Sequence, residues 1–155
     1  MKMNVLPIIA FVLSIDLVIG QGTCPQGFEY WPENGYCYAY VSILKSFHDA
    51  DDYCGNQAAG GFLASTHSMA EEGYVQSLVQ TTDRYWLGAN DVGTEEVFTW
   101  TDGSPMDWKN WDCGEPNDSL FADEDCVEGN VGDSKRWNDE KCDEERVFVC
   151  KAPQI

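Results

Sequence analysis

Cys113-Gly114-Glu115-Pro116-Asn117, Glu124-Asp125-Cys126 and Trp137-Asn138-Asp139 follow one another in a short stretch, and their side chains decide how the chain is read. Glu115, Asn117, Glu124, Asn138 and Asp139 offer three carboxylates and two carboxamides. Ca²⁺ takes roughly six to eight hard oxygens of this kind. A carboxamide that gives its oxygen to an ion keeps its N–H donors, and a carboxylate that gives one oxygen keeps another as acceptor. Donors and acceptors alternating around one cation suit a vicinal diol, whose hydroxyls donate, accept and coordinate. Glu115-Pro116-Asn117 alone would read as a polar turn, because Pro and Asn are ordinary turn residues. All five oxygen-bearing residues in order point instead to a calcium-dependent sugar site. A cis peptide bond at Pro116 is expected, aiming Glu115 and Asn117 at one point.

Together these residues resemble the C-type lectin carbohydrate-recognition domain. Trp86-Leu87-Gly88-Ala89 is similar to that family's Trp-Ile-Gly-Leu strand, and the resemblance runs from Cys24 to Cys150. It implies an α+β fold with two helices, small antiparallel sheets and a long calcium-binding loop, stapled by disulfides. It also implies a mannose-type ligand, because Glu-Pro-Asn at this place goes with mannose in the family. The stretch from Asn117 to Glu124 looks one residue longer than in typical mannose-type members. Asp91, Glu95, Asp118, Glu124 and Asp125 match positions that bind an auxiliary calcium, with Glu124 shared between the two ions.

Seven cysteines imply a disulfide framework if the chain is secreted, although the residues alone leave the pairing open. The family resemblance implies Cys24–Cys37, Cys54–Cys150 and Cys126–Cys142. Cys113 is then left over, two residues before Glu115, which points to an interchain bridge (a disulfide-linked homodimer) or a capped thiol. Secretion itself is expected from residues 1–20. Lys2 precedes a mostly apolar run from Val5 to Val18, and small residues precede Gln21, as in a cleaved signal peptide. Residues 21–155 are the length of one domain.

The net charge of −18 makes nucleic acid and anionic membranes poor partners. Between Asp112 and Glu145 stand 13 acidic and 3 basic residues. Surface solvation accounts for Asp143, Glu144 and Glu145, but not for acids interleaved with Trp, Asn and Cys. Crowded carboxylates repel one another unless a cation neutralises them.

Elsewhere the pattern is ordinary. Cys37–Val41 reads as a strand. Ser46 opens a helix whose stripe is Phe47, Ala50, Cys54 and Ala58, with Asp49, Asp51 and Asp52 near its positive end. Phe62-Leu63-Ala64 is a short strand, and Ser68 with Glu71 is a capping box for a helix burying Val75, Leu78 and Val79. Tyr85–Gly88, Val97–Trp100, Cys126–Glu128 and Val147–Cys150 are strand candidates. Trp86, Trp100, Trp108, Trp111 and Trp137 are expected in the core, and Phe121 is the candidate for touching ligand. His48 and His67 stand alone, and no Ser or Cys forms a nucleophile and base with them, so an enzyme is not expected. Asn117-Asp118-Ser119 is a glycosylation sequon; a glycan there would exclude Asn117 from calcium, and Asn117 is expected unmodified.

The resulting expectation is a secreted lectin for mannose, N-acetylglucosamine or fucose-type glycans. Such binding is compatible with innate immune recognition, cell adhesion or tissue recognition. The alternative is an acidic, calcium-binding extracellular or biomineral matrix protein on a lectin-like fold.

Overall fold

The computed structural model describes residues 22–79, 82–117 and 123–155. The proposed signal peptide, Asp118 and Phe121 lie outside them. Among the described residues the elements are β1 (Glu29–Trp31), β2 (Tyr36–Lys45), α1 (Phe47–Gln57), β3 (Phe62–Leu63) and α2 (Met69–Leu78). After them come β4 (Tyr85–Asn90), β5 (Thr99–Trp100), β6 (Cys126–Val131), β7 (Arg136–Glu140) and β8 (Arg146–Ala152). The fold is α+β, as expected. Where small antiparallel sheets were anticipated, the described strands join one mixed sheet in the order β1-β2-β8-β4-β6-β7. Its parallel pair is β4 with β8, while β3 adds to β8 and β5 to β4.

The two central strands are buried on both faces, which explains their near-continuous apolar sequence. On one face Tyr85, Leu87, Val147 and Val149 join Val75 of α2, Trp100 and Trp137. On the other, Trp86, Phe148 and Cys150 pack against Phe47, Ala50 and Cys54 of α1. The tryptophans are therefore core: Trp86 and Trp137 are fully buried, and Trp108 and Trp111 pack on the core's margin.

Both helices start where the capping residues place them. The Ser46 hydroxyl accepts from the Asp49 amide at 3.3 Å, and the Ser68 hydroxyl from the Glu71 amide at 3.1 Å. Asp51 does more than complement a helix dipole. Its Oδ1 accepts from the Leu63 amide at 2.8 Å and the Thr101 hydroxyl at 2.9 Å, joining α1 to β3 and the turn after β5. Glu71 is also more than a capping residue. Its buried carboxylate accepts from the Tyr38 hydroxyl, the Asn34 amide and Lys151 Nζ, the last at 2.7 Å.

Three disulfides are present, Cys24–Cys37, Cys54–Cys150 and Cys126–Cys142. Cys54–Cys150 ties α1 to β8, and Cys126–Cys142 ties the start of β6 to the residue pair beyond β7. Cys113 is unpaired and exposed.

Candidate functional site

The site residues converge because the sheet places the ends of three strands side by side. Asn90, the last residue of β4, pairs with Cys126, the first of β6. The residues just beyond that pair, Asp91 and Asp125, are consequently neighbours, and the Asp91 amide donates to the Asp125 carbonyl at 3.1 Å. A tight turn follows Asp91. Thr94 N–H bonds the Asp91 carbonyl at 2.9 Å, and Glu96 N–H bonds Asp91 Oδ2 at 2.8 Å. Glu96 adopts a positive φ of 63° there. The turn swings Glu95 back, so that carboxylate oxygens of Asp91, Glu95 and Asp125 lie within 4.8 Å of one another. Two oxygens that each sit at a Ca²⁺–O distance of about 2.4 Å can be no farther apart than roughly this. The oxygen-only donor set and its spacing fit calcium.

The second group forms at the open edge of the sheet. The chain before Glu115 runs along β7, with Trp137 N–H bonded to the Asn110 carbonyl and Asp112 N–H to the Trp137 carbonyl, both at 2.9 Å. Glu115 N–H then bonds the Asp112 carbonyl at 3.2 Å. The Glu115–Pro116 peptide is cis, as the sequence predicts. Asn117 N–H donates to both carboxylate oxygens of Asp139, at 3.2 and 3.0 Å, and the Asn117 side-chain amide donates to Glu115 Oε2. Partial burial, contact with Asp139 and the field of Glu124 push the Glu115 carboxyl up to about 7, against a smaller lowering by Asn117. The part of that shift owed to Asp139 and Glu124 reflects crowded negative charge, which a cation would relieve.

A cleft of about 240 Å³ joins the two groups, lined by Asp91, Glu95, Glu96, Phe98, Pro116, Asn117 and Asp139. The structure thus brings together Glu115, Asn117, Glu124 and Asp139 in one place, and Asp91, Glu95 and Asp125 in another. Glu124 precedes Asp125 in the chain, and its charge reaches Glu115.

Asn138 behaves differently. Successive strand residues face opposite sides of a sheet, so Asn138 shares a face with its β6 partner Glu128, while Asp139 shares one with Val127. The Asn138 amide nitrogen donates to Glu128 Oε1 at 3.1 Å and to the Asp139 carbonyl. Glu128 was missed from sequence, as were Glu96 and Phe98 in the cleft. In the sequence Glu128 is only the end of the strand candidate Cys126–Glu128, with nothing to mark it as buried. Only the pairing of β6 with β7 shows where Glu128 points.

Comparison with known proteins agrees with this geometry. The family described as "Lectin C-type domain" matches residues 43–152. The C-type lectin lectoxin-Lio1 of Erythrolamprus poecilogyrus is 33% identical over 151 residues, covering 94% of this chain and 92% of its own. A mannose-binding C-type lectin isoform of Oxyuranus scutellatus is 33% identical over 133 residues, covering 83% and 82%. A galactose-binding isoform of Pseudechis porphyriacus is 34% identical over 133 residues, with the same coverage. Among solved structures, herring type II antifreeze protein superposes with a TM-score of 0.77 at 29% identity, covering 85% of this chain and 100% of its own. The carbohydrate-recognition domain of mouse scavenger receptor C-type lectin gives 0.75 at 27% identity, covering 85% and 99%.

Proposed function

Because the chain belongs to the C-type lectin domain family, we propose that it is a secreted, calcium-dependent carbohydrate-binding protein rather than an enzyme. Its ligands are glycans with equatorial vicinal hydroxyls, of the mannose, N-acetylglucosamine or fucose type. The observation that carries this reading is the joining of Glu115, Asn117 and Asp139 by hydrogen bonds, with the Glu115 carboxyl raised to about 7 by partial burial and its acidic neighbours. A principal calcium is assigned to Glu115, Asn117, Glu124, Asn138 and Asp139. An auxiliary one is assigned to Asp91, Glu95, Asp118, Glu124 and Asp125, of which the triad within 4.8 Å supports the metal assignment directly.

Bound calcium supplies coordination positions at which two adjacent sugar hydroxyls replace water. The protein's own residues do the selecting. Carboxylates such as Glu115 accept from a hydroxyl with the oxygen not given to the ion, and the Asn117 amide donates to one. An axial hydroxyl would misplace one of these pairs. Identity to relatives does not choose the sugar, since mannose- and galactose-binding isoforms resemble the chain about equally. The choice of mannose rests on Glu115-Pro116-Asn117. Secretion rests on residues 1–20, and among the described residues no helix is long and apolar enough to cross a membrane. Innate immune recognition of foreign glycans is one use compatible with such a site.

The test is retention on mannose-agarose in calcium, followed by elution with chelator. Calcium-dependent retention, competed by mannose better than by galactose, is the expected result. Absence of retention, with calcium still raising the melting temperature, would leave a metal site without a sugar and favour the acidic matrix-protein alternative.

A further inference from the structure

The register of β1 with β2 builds a second cleft, of about 360 Å³, that shares no residue with the calcium groups. Glu29 of β1 is the cross-strand partner of Tyr38 on β2, and paired residues stand on one face of a sheet. Tyr40, two residues further along β2, shares that face. The C-terminal half of α2 supplies Tyr74, Ser77 and Leu78 to the same cleft. Tyr74 stacks on Trp31 with ring centroids 5.3 Å apart and planes 9° apart. Tyr38 stands nearly perpendicular to both, 5.4 Å from Tyr74 and 6.3 Å from Trp31. A triangle with those sides puts Tyr38 beside the stacked pair, so neither ring covers the outer face of Tyr74.

Three features of this cleft favour positive charge. Glu29 is an exposed carboxylate that makes no ion pair among the described residues. Its charge reaches α2, because the Tyr74 hydroxyl is held above its usual range by burial first and by Glu29 second. Ser77 and Leu78 belong to the last turn of α2, which carries no basic residue to offset the partial negative charge at a helix C-terminus. The tyrosine rings add the negative faces of their π systems. No Lys, Arg or His lines the cleft. One carboxylate and ring faces offer too few hard oxygens for a bare metal ion. A methylated ammonium is different: its charge attracts the carboxylate and the rings, and its methyl groups pack on the aromatic carbon. Ligand clefts run from roughly 300 to 1,000 Å³, so this one suits a small molecule or a single group of a larger one. We propose that the cleft binds a small organic cation, a trimethylammonium group by preference, between Glu29 and the rings of Tyr40 and Tyr74.

The test compares choline with 3,3-dimethyl-1-butanol, which has the same shape but a carbon in place of the charged nitrogen. Backbone amide shifts of the protein in calcium buffer are followed at fixed ionic strength. Choline is expected to shift the amides of Gly27, Tyr40, Ser77 and Leu78 saturably, and the alcohol to bind at least about tenfold more weakly. Glu29→Gln should weaken choline about tenfold and leave the alcohol unchanged. Tyr40→Leu, which leaves Tyr74 on Trp31, should weaken choline about fivefold. Equal binding of the two compounds would show a merely apolar cleft and overturn the inference. So would an unchanged choline affinity in a folded Glu29→Gln protein. Shifts confined to Asp91, Glu95 and Asp125 would place the cation on the acidic loop and overturn it as well. Co-sedimentation with phosphatidylcholine vesicles, competed by choline, would assign the bound group to a lipid headgroup, and choline binding without it would assign a soluble ligand.

Discussion

Glu115 is the residue on which the chemistry turns. Its carboxyl is raised from 4.5 to about 7 by burial and by the carboxylates of Asp139 and Glu124. A raised carboxyl contributes stability below its unfolded value and loses it as pH rises through its folded value. The metal-free fold therefore loses stability as pH rises from about 4.5 to 7 and keeps the full strain of the ionised group above that, while a cation that prefers the carboxylate has to displace a proton below about pH 7. Calcium binding should accordingly be roughly eightfold weaker at pH 6 than at pH 7.5, the ratio of ionised Glu115 for a single group titrating near 7. Titrations in buffers of different ionisation enthalpy should show proton release near pH 6.5. Calcium affinity that does not change over this range would refute the assignment of Glu115. In Glu115→Gln, affinity should fall by at least about tenfold, while chelated protein at pH 8 should melt no lower than the parent, having lost a repelled charge.

Among the elements, α1 is placed by more than its apolar stripe. Phe47, Ala50 and Cys54 bury against the sheet, but the Asp51 carboxylate is what couples the helix to β3 and to Thr101. In Asp51→Ala the Leu63 amide and the Thr101 hydroxyl would lose their acceptor, and a part-buried donor left unsatisfied costs about 1–3 kcal/mol. We expect chelated Asp51→Ala to lose about 2 kcal/mol in urea denaturation. Calcium affinity should be nearly unchanged, because the clamp lies away from Asp91 and Glu115. A loss of calcium binding as large as the loss of stability would mean that this region carries the site. The same comparison explains β7. Trp137-Asn138-Asp139 reads in sequence as ligands, not as a strand. The structure shows that the strand comes first, with Trp137 buried, and that its pairing with β6 determines which way Asn138 and Asp139 face.

For the whole molecule, the question is how one shallow site becomes useful. A single such site should bind a sugar with roughly millimolar affinity, so avidity has to come from linking copies. Cys113 is exposed and unpaired, two residues before Glu115, so a bridge through it would place two sites close together. Non-reducing electrophoresis should show a dimer that Cys113→Ser abolishes. Binding to a mannose-coated surface should weaken by about a hundredfold in that variant, while affinity for free mannose stays the same. A monomeric parent protein would rule out this route to multivalency.

Much of this was legible in the residues themselves. Ligand chemistry is local: Glu115, Asn117, Glu124 and Asp139 carry their oxygens wherever the chain goes, and Ser46 and Ser68 cap the turns that follow them. The disulfide pattern and the α+β class followed from motif resemblance, because such spacings record a whole domain. What the sequence alone could not show was direction. Whether a strand residue faces the core or its neighbour depends on register with a strand distant in sequence, and no local signal carries that. Hence Glu128 stood only as the end of a strand candidate and is fully buried, Glu71 read as a cap and is also a buried ion-pair partner, and β7 was not anticipated. The sequence by itself determined which atoms are available to an ion. Which of them meet was decided by the fold, because the pairing of Asn90 with Cys126 joins strands far apart in sequence and the register of Glu128 with Asn138 is fixed by packing on both faces of one sheet.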